Sequence, residues 1–335
     1  MVRPELYRDV PPARVERVEQ VLRAALGGAP DAVSFLRASH SAGAVYVVAA
    51  GGRRYVLKLF GDGVPVAKRA RDAACARGAA RLGIAPRLVH ADPEGGITIV
   101  AYVDGTPMNR HPSPAPQAVR SLGDALRRLH DGPVFPAWVS VLDLIEGMLH
   151  ALEPVAVRLP ETVRWYLQAY RRIPPALVPH LISAPCHNDL NPTNILAGGE
   201  RVWLIDWELG CMGDPFFDLA TVLNYSVPEP NAEAFVELYL GRRPVPAERF
   251  KLELMRQVAL CFAGLNLVAA SLGVALEFPP DRPWHTLAEA NRASTKGELR
   301  LDTSHGKLIF GLALLDEART MGASASCTAA LRGLA

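Results

Sequence analysis

The 335-residue chain has almost no charge of one sign to spare. Lys+Arg number 36 and Asp+Glu 34, a formal net charge of +2, and no Lys/Arg tract dominates, so nucleic acid is not an expected partner. Its denser basic stretch, Lys68, Arg69, Arg71 and Arg77, has helical spacing and reads as a solvated face. Cysteine is sparse as well. The five residues Cys75, Cys186, Cys211, Cys261 and Cys327 include no CxxC pair and no zinc-like spacing, which argues against a disulfide framework or a structural zinc site and suits reduced, buried thiols. The opening Met1-Val2-Arg3-Pro4-Glu5 lacks the apolar stretch of a signal peptide. Long hydrophobic runs are also scarce. One uncharged segment, residues 258–276, is long enough to span a bilayer, but Gly264, Asn266, Ser271 and Gly273 interrupt it and no basic cluster flanks one side. It reads as a buried core helix, and the expectation is a soluble cytoplasmic protein without a membrane partner.

What is present is globular: 50% apolar and 21% charged residues. Residues 11–26 carry apolar positions Val15, Val18, Val21, Leu22 and Leu26 and read as an amphipathic helix. Three short runs follow, 33–36, 45–49 and 55–60, and Gly51-Gly52 between the last two signals a hairpin. Helical spacing returns over 65–82, closed by Gly83 before Pro86. Residues 88–90 and 97–103 read as further strands around the turn Asp92-Pro93-Glu94-Gly95-Gly96. After Gly105 and a Pro-rich stretch from Pro107 to Pro116, helices are expected over 118–130, 140–153, 161–172, 231–241, 247–275 and 305–321, with 279–283 a loop and 322–335 partly frayed. The exception is 186–218, which is strand-like and crowded with polar groups. The pattern predicts an α+β protein with a small β-rich N-terminal lobe, residues 1–104, and a larger, mainly helical lobe, residues 105–335.

The chemistry concentrates in HNDLNPTNIL (187–196) and VWLIDWE (202–208), joined by the reversal Ala197-Gly198-Gly199-Glu200. A hairpin there folds Asn194 and Asp206 back toward the same end, with Asp189 just upstream in a turn closed by Pro192. Three oxygen-bearing side chains thus converge. Phosphoryl transfer from ATP calls for such a set, because its transition state spreads charge over phosphate oxygens and is helped by positioning and neutralisation. Asn194 and Asp206 are candidate Mg²⁺ ligands, and Asp189 is the candidate base that accepts the proton of the attacking hydroxyl. His187 reads as a brace for the loop.

HNDLNPTNIL followed by LIDWELGCMGDPFFDLA (204–220) resembles the aminoglycoside phosphotransferase/choline kinase superfamily, and its wording is closest to the bacterial choline/ethanolamine kinase-like branch. The resemblance implies a protein-kinase-like two-lobed fold, ATP and Mg²⁺, and a small-molecule hydroxyl as phosphate acceptor. It makes Lys58 the lysine that contacts ATP phosphates and Asp72 its nearest acidic partner on the next helix. Ser41 and Gly43 fall in the phosphate-covering turn. Ala101 and Val103 lie in the connection between lobes, whose backbone binds adenine, and Asp218 helps to hold the catalytic loop. The chain has Asp206-Trp207-Glu208 where protein kinases carry DFG, and no APE.

A quaternary ammonium is held by aromatic faces, yet Leu209, Ala263 and Asn266 stand where choline kinases tend to carry Tyr and two Trp residues. Glu208 and Asp214 are candidates for binding a cationic amine, Glu208 also for assisting the metal. An amino alcohol of the choline/ethanolamine type is the expected acceptor. Aminoglycosides, thiamine-like alcohols and a non-catalytic nucleotide-binding module are the alternatives.

Overall fold

The computed structural model describes residues 7–8, 10–38, 43–108, 115–154, 159–271 and 286–334. The chain divides into two compact units, Met1–Ala137 with Pro185–Met212, and Trp138–Ala184 with Gly213–Ala335.

The first unit is built on a five-stranded antiparallel sheet of β1 (Ala32–Ala38), β2 (Ala44–Ala50), β3 (Arg53–Leu59), β4 (Leu88–Asp92) and β5 (Ile97–Ala101), in the order β1-β2-β3-β5-β4. Gly51 and Gly52 both have positive φ, which makes the tight β2–β3 reversal available to glycine at no steric cost. Alternation then sorts the side chains. Tyr46, Val48, Leu57, Leu59, Ile97 and Ile99 are buried together with Val18 and Leu22 of α1 (Val15–Leu26), so one sheet face and the apolar stripe of that helix form one core. Register places Tyr46 opposite Leu57 and Leu57 opposite Ile99, which stacks large apolar side chains across three strands.

The helix α2 (Val66–Arg81) follows β3. Of its basic stretch Arg77 is exposed, as expected, but two members are not part of a solvated face. Arg69 and Arg71 are only 8% and 6% exposed. Arg69 donates to the carbonyls of Pro93, Glu94 and Gly61 at 3.1–3.2 Å, so its charge is spent on the turn before β5. Backbone acceptors that composition cannot reveal are the reason two arginines are buried here. The helix α3 (Pro116–His130) turns Leu122, Leu126 and Leu129 inward. A three-stranded sheet, β6 (Thr106–Pro107), β8 (Ile195–Gly198) and β9 (Arg201–Leu204), carries the expected hairpin, with Ile195 opposite Leu204. The Ser121 hydroxyl accepts from Val202 N–H at 3.2 Å and ties α3 to β9. A short ribbon pairs β7 (Ala184–Cys186) with β10 (Cys211–Gly213).

The second unit is helical: α4 (Val141–Leu152), α5 (Glu161–Tyr170), α6 (Ile173–Leu177), α7 (Pro215–Tyr225), α8 (Ala232–Leu240), α9 (Pro246–Ser271), α10 (Leu287–Thr295), α11 (Ser304–Gly322) and α12 (Ala325–Leu334). Residues 258–271 of the uncharged run fall in α9, the one described helix long and apolar enough to cross a membrane, and 67% of its apolar window is buried within the protein; the rest of the run lies outside the described residues. Gly264 belongs there because α9 and α11 cross closely: a Cβ on Gly264 would lie 2.8 Å from Leu315 Cγ and 3.0 Å from the Gly311 carbonyl oxygen. The sequence pattern misses α6, α7, α10 and α12. Proline at the start of α6 and α7 conceals them, although a first-turn proline is compatible with a helix. The segment expected to fray is helical because Cys327, Ala330 and Leu334 bury one face of α12. The loop expected at 279–283 lies outside the described residues.

Candidate active site

Strand alternation decides where Lys58 points. Leu57 and Leu59 turn into the core shared with α1, so Lys58 emerges on the opposite sheet face. There its ammonium lies 2.7 Å from Asp206 Oδ1 and 2.5 Å from Glu208 Oε1. Lys68, in the first turn of α2, stands 3.4 Å from Glu208 Oε2. The Lys58, Asp206 and Glu208 side chains are 15%, 19% and 13% exposed, so this is a largely desolvated cluster rather than a surface pair. Burial works against the Lys58 charge, but Asp206, Asp72 and Glu208 outweigh it and hold the ammonium above its ordinary pKa.

Asp72 was the expected partner of Lys58, and here the geometry differs. It is buried on α2, yet no ion pair within 4 Å joins it to Lys58 among the described residues. Glu208, one methylene longer, reaches the ammonium instead. Burial lifts the Asp72 carboxyl to about 6, with Lys58 pulling it down and Asp206 and Glu208 pushing it up.

The loop after β7 is shaped by side-chain hydrogen bonds. Asn188 has φ +61°, a left-handed conformation that asparagine tolerates better than most residues. It donates to the Leu209 carbonyl at 3.2 Å. Asn191 caps the single turn Pro192–Asn194: its Oδ1 accepts from Thr193 N–H at 3.0 Å and from the Thr193 hydroxyl. The amide nitrogen of Asn191 is thereby left to donate to Asp189 Oδ1 at 3.0 Å. Asn194 donates to the Asp189 carbonyl at 2.9 Å and to its Oδ2 at 3.0 Å, so both oxygens of Asp189 are held. Burial raises the Asp189 carboxyl to about 7. The Asn191 and Asn194 bonds lower it, and the Asp206 and Glu208 charges add to the rise.

The hairpin joins this loop to the second acidic segment. Ile205 N–H donates to the Asn194 carbonyl at 3.0 Å, and Asp206 follows with φ +67°. Such a conformation is unfavourable for aspartate and persists where surrounding bonds fix it. His187 is fully buried, and its Nε2 bonds to the Ile205 carbonyl at 2.9 Å. Its ring lies 4.4 Å from that of Trp207, while Phe135 meets Trp207 edge-on. Trp207 is a core residue, 3% exposed.

Asn194 spends its amide nitrogen on Asp189, which turns its carbonyl oxygen elsewhere. That oxygen and the carboxylates of Asp206 and Glu208 are hard-oxygen donors of the kind Mg²⁺ takes, and the two carboxylates share the Lys58 ammonium; by donor chemistry these residues fit the metal.

The other predicted positions have contacts of their own. Ala101 closes β5 and donates to Arg87 O at 2.8 Å, and Tyr102 donates to Arg54 O at 3.1 Å; Val103 follows, half-buried. Gly43 directly precedes β2, and Ser41 lies outside the described residues. Asp214 and Asp218 belong to the second unit. Asp214 is the N-cap of α7: it accepts from Phe216 N–H and Ile182 N–H, each at 2.9 Å, and pairs with buried Lys251 at 2.6 Å. Those bonds give Asp214 a structural task in place of amine binding. Asp218, in the first turn of α7, is fully buried.

Residues 33–250 match the profile of the phosphotransferase enzyme family. The chain belongs to that family. Protein LicA of Haemophilus influenzae is 40% identical to this family member over 63 residues, 18% of this chain and 19% of that protein, so the match spans about a fifth of the relative's length. Solved structures extend the likeness over nearly the whole fold. The choline/ethanolamine kinase family protein from Mesorhizobium loti has a TM-score of 0.68 at 22% identity, covering 94% of this chain and 98% of its own. The choline kinase LicA from Streptococcus pneumoniae has a TM-score of 0.62 at 19% identity, with 90% and 98% covered. LicA has also been solved in complex with AMP. The mixed architecture, β-sheet first and helices after, is that of these phosphotransferases.

Proposed function

We propose that the chain transfers the γ-phosphate of ATP to the hydroxyl of a small amino alcohol. The observation that carries this is the bonded relay Asp189–Asn194–Ile205, which sets one carboxylate held by two amides beside a second acidic segment paired to Lys58. In this reading Lys58 binds nucleotide phosphate, the Ala101–Val103 backbone and Gly43 belong to the nucleotide-binding side, and Asn194 and Asp206 hold Mg²⁺ with Glu208 beside them. When bound, Mg²⁺ offsets charge on the phosphate oxygens. Asp189 accepts a hydrogen bond from the acceptor O–H, orients it and takes its proton as the bond to phosphorus forms. His187 fixes the hairpin. The AMP complex of LicA supports an adenine nucleotide, and the choline kinases among the structural relatives support an amino-alcohol acceptor. The residue types at Leu209, Ala263 and Asn266 supply no rings for a quaternary ammonium, which favours an acceptor whose nitrogen still carries N–H.

A screen of Mg-ATP consumption against ethanolamine, choline, thiamine, small sugars and aminoglycosides tests the reading, with Asp189→Ala as control. Acceptor-dependent turnover that is lost in the variant supports it; absence of nucleotide binding refutes it.

A pH dependence follows from Asp189. The base works deprotonated, and its carboxyl sits at about 7 without ligand. The rate constant kcat/KM should therefore fall about tenfold per pH unit below 7 and level off above it. The acid limb of kcat should lie at lower pH, because a bound cation favours the carboxylate. Stopped initial rates between pH 5 and 9 measure both.

A further inference from the structure

Lys58 is the residue through which a kinase-like sheet would meet phosphate, and its position here rests on Glu208. Glu208 is in turn gripped by α2 at two places. Lys68 Nζ reaches its carboxylate at 3.4 Å. Arg71 Nη2 donates to its main-chain carbonyl at 2.6 Å. One turn further along the same helix, the Cys75 thiol donates to the Gly210 carbonyl at 3.3 Å. From the other side Asn188 bonds the Leu209 carbonyl. Three successive carbonyls, at 208, 209 and 210, are thus held by side chains in a segment that begins with the left-handed Asp206.

Arg71 is the unusual member. It is 6% exposed, and burying a guanidinium is costly unless its hydrogen bonds repay it. Burial lowers its pKa, while neighbouring Cys211, Cys75, Asp72 and Glu208 act in the opposite direction. The bond to Glu208 is a short charge-assisted one to a main-chain oxygen. It therefore fixes the backbone of the residue whose carboxylate holds Lys58.

We infer that Arg71 is a positioning residue for the metal–nucleotide site, locking the Glu208 backbone so that Asp206 and Glu208 present their carboxylates to Lys58 and to a divalent cation together. The inference rests on the phosphotransferase reading of the site. It replaces the direct acid-to-lysine contact expected from α2 with an indirect one: α2 holds Glu208, and Glu208 holds Lys58.

The test is ATP binding by isothermal titration calorimetry, with saturating Mg²⁺ and with EDTA, on the whole protein and on Arg71→Met and Arg71→Lys. For Arg71→Met, ATP affinity with Mg²⁺ should fall about tenfold, because one charge-assisted hydrogen bond is worth roughly that factor, while affinity in EDTA should fall less, by the part that Lys58 alone contributes. Arg71→Lys keeps the charge but not the fork of the guanidinium and should show the same split at a smaller size. In the Glu208→Gln background the Arg71→Met effect should shrink to less than about twofold, since residues acting through one another are not additive. Equal loss with and without Mg²⁺, or full additivity with Glu208→Gln, overturns the inference. If Arg71→Met does not fold, Arg71→Lys decides, and wild-type Mg²⁺ dependence in that variant overturns it. Failure of the wild-type protein to bind ATP at all is a different result, and it defeats the function reading itself.

Discussion

Asp189→Ala should lower acceptor-dependent turnover by about 10²–10⁴-fold, the range removed with a general base, while Mg²⁺-dependent ATP binding persists. The separation follows from geometry. Asp189 is held by Asn191 and Asn194, whereas the carboxylates paired with Lys58 belong to Asp206 and Glu208. Asp189→Asn is the sharper variant. Both carboxylate oxygens of Asp189 receive N–H donors, so an amide there turns its own NH₂ toward one of them. The loop then loses a bond as well as a base, and rescue by the near-isosteric residue should fail. Initial rates and nucleotide titration on the same preparations check the result, and turnover within tenfold of the wild type would remove Asp189 from the role of base.

The second large effect is on Lys58. Replacing it with methionine keeps the apolar stem and deletes the charge that Asp206, Glu208 and Asp72 surround. Removing one partner of a buried ion cluster is far more damaging than the net worth of the pair, because the remaining charges stay desolvated. The expected loss is about 3 kcal/mol at pH 8, the lower end for buried pairs, since these side chains retain some exposure. The pH dependence has a definite sign. In the wild type the Asp72 carboxyl is already raised to about 6 with Lys58 pulling it down. Without Lys58 it rises further, so the native variant takes up protons that its unfolded chain does not hold at the same pH. Its deficit should therefore shrink as pH falls from 8 to 5. Urea unfolding of both proteins at the two pH values measures this, and a deficit independent of pH would mean that the lost charge is not what destabilises the variant.

The parts of this site that sequence made legible are those carried by local pattern. Residues 187–196 and 202–208 place Asp189, Asn194 and Asp206 through a short turn and a two-strand reversal, and such local geometry follows from Pro192 and the Gly198-Gly199 pair. The five strands of the large sheet were legible for the same reason: β-branched alternation and glycine turns act within a few residues. What escaped was set by distant backbone. Arg69 and Arg71 looked like surface residues because the carbonyls that satisfy them, at 93, 94, 61 and 208, are separated from them in sequence. Asp72 looked like the partner of Lys58 because spacing shows which acid lies on the next helix, and not which acid is long enough to reach. Asp214 could be read either as a ligand for an amine or as a cap; its cap on Phe216 N–H is local, but Ile182 and Lys251, which complete its bonding, come from separate stretches of chain.

The first unit is discontinuous: its segment Pro185–Met212 is separated from the rest by Trp138–Ala184. During translation the five-stranded sheet and α2 leave the ribosome first, carrying Lys58, Lys68, Arg71 and Asp72. Their partners at 206 and 208 do not yet exist. At about 5–20 residues per second, the nascent chain passes several seconds with three basic side chains, Lys58, Lys68 and Arg71, waiting for acceptors that lie beyond the intervening helices. Completion of the cluster is thus a late event in biosynthesis. A ribosome stalled before the codon for Asp206 should expose a sheet that is paired in hydrogen bonds but electrostatically unfinished.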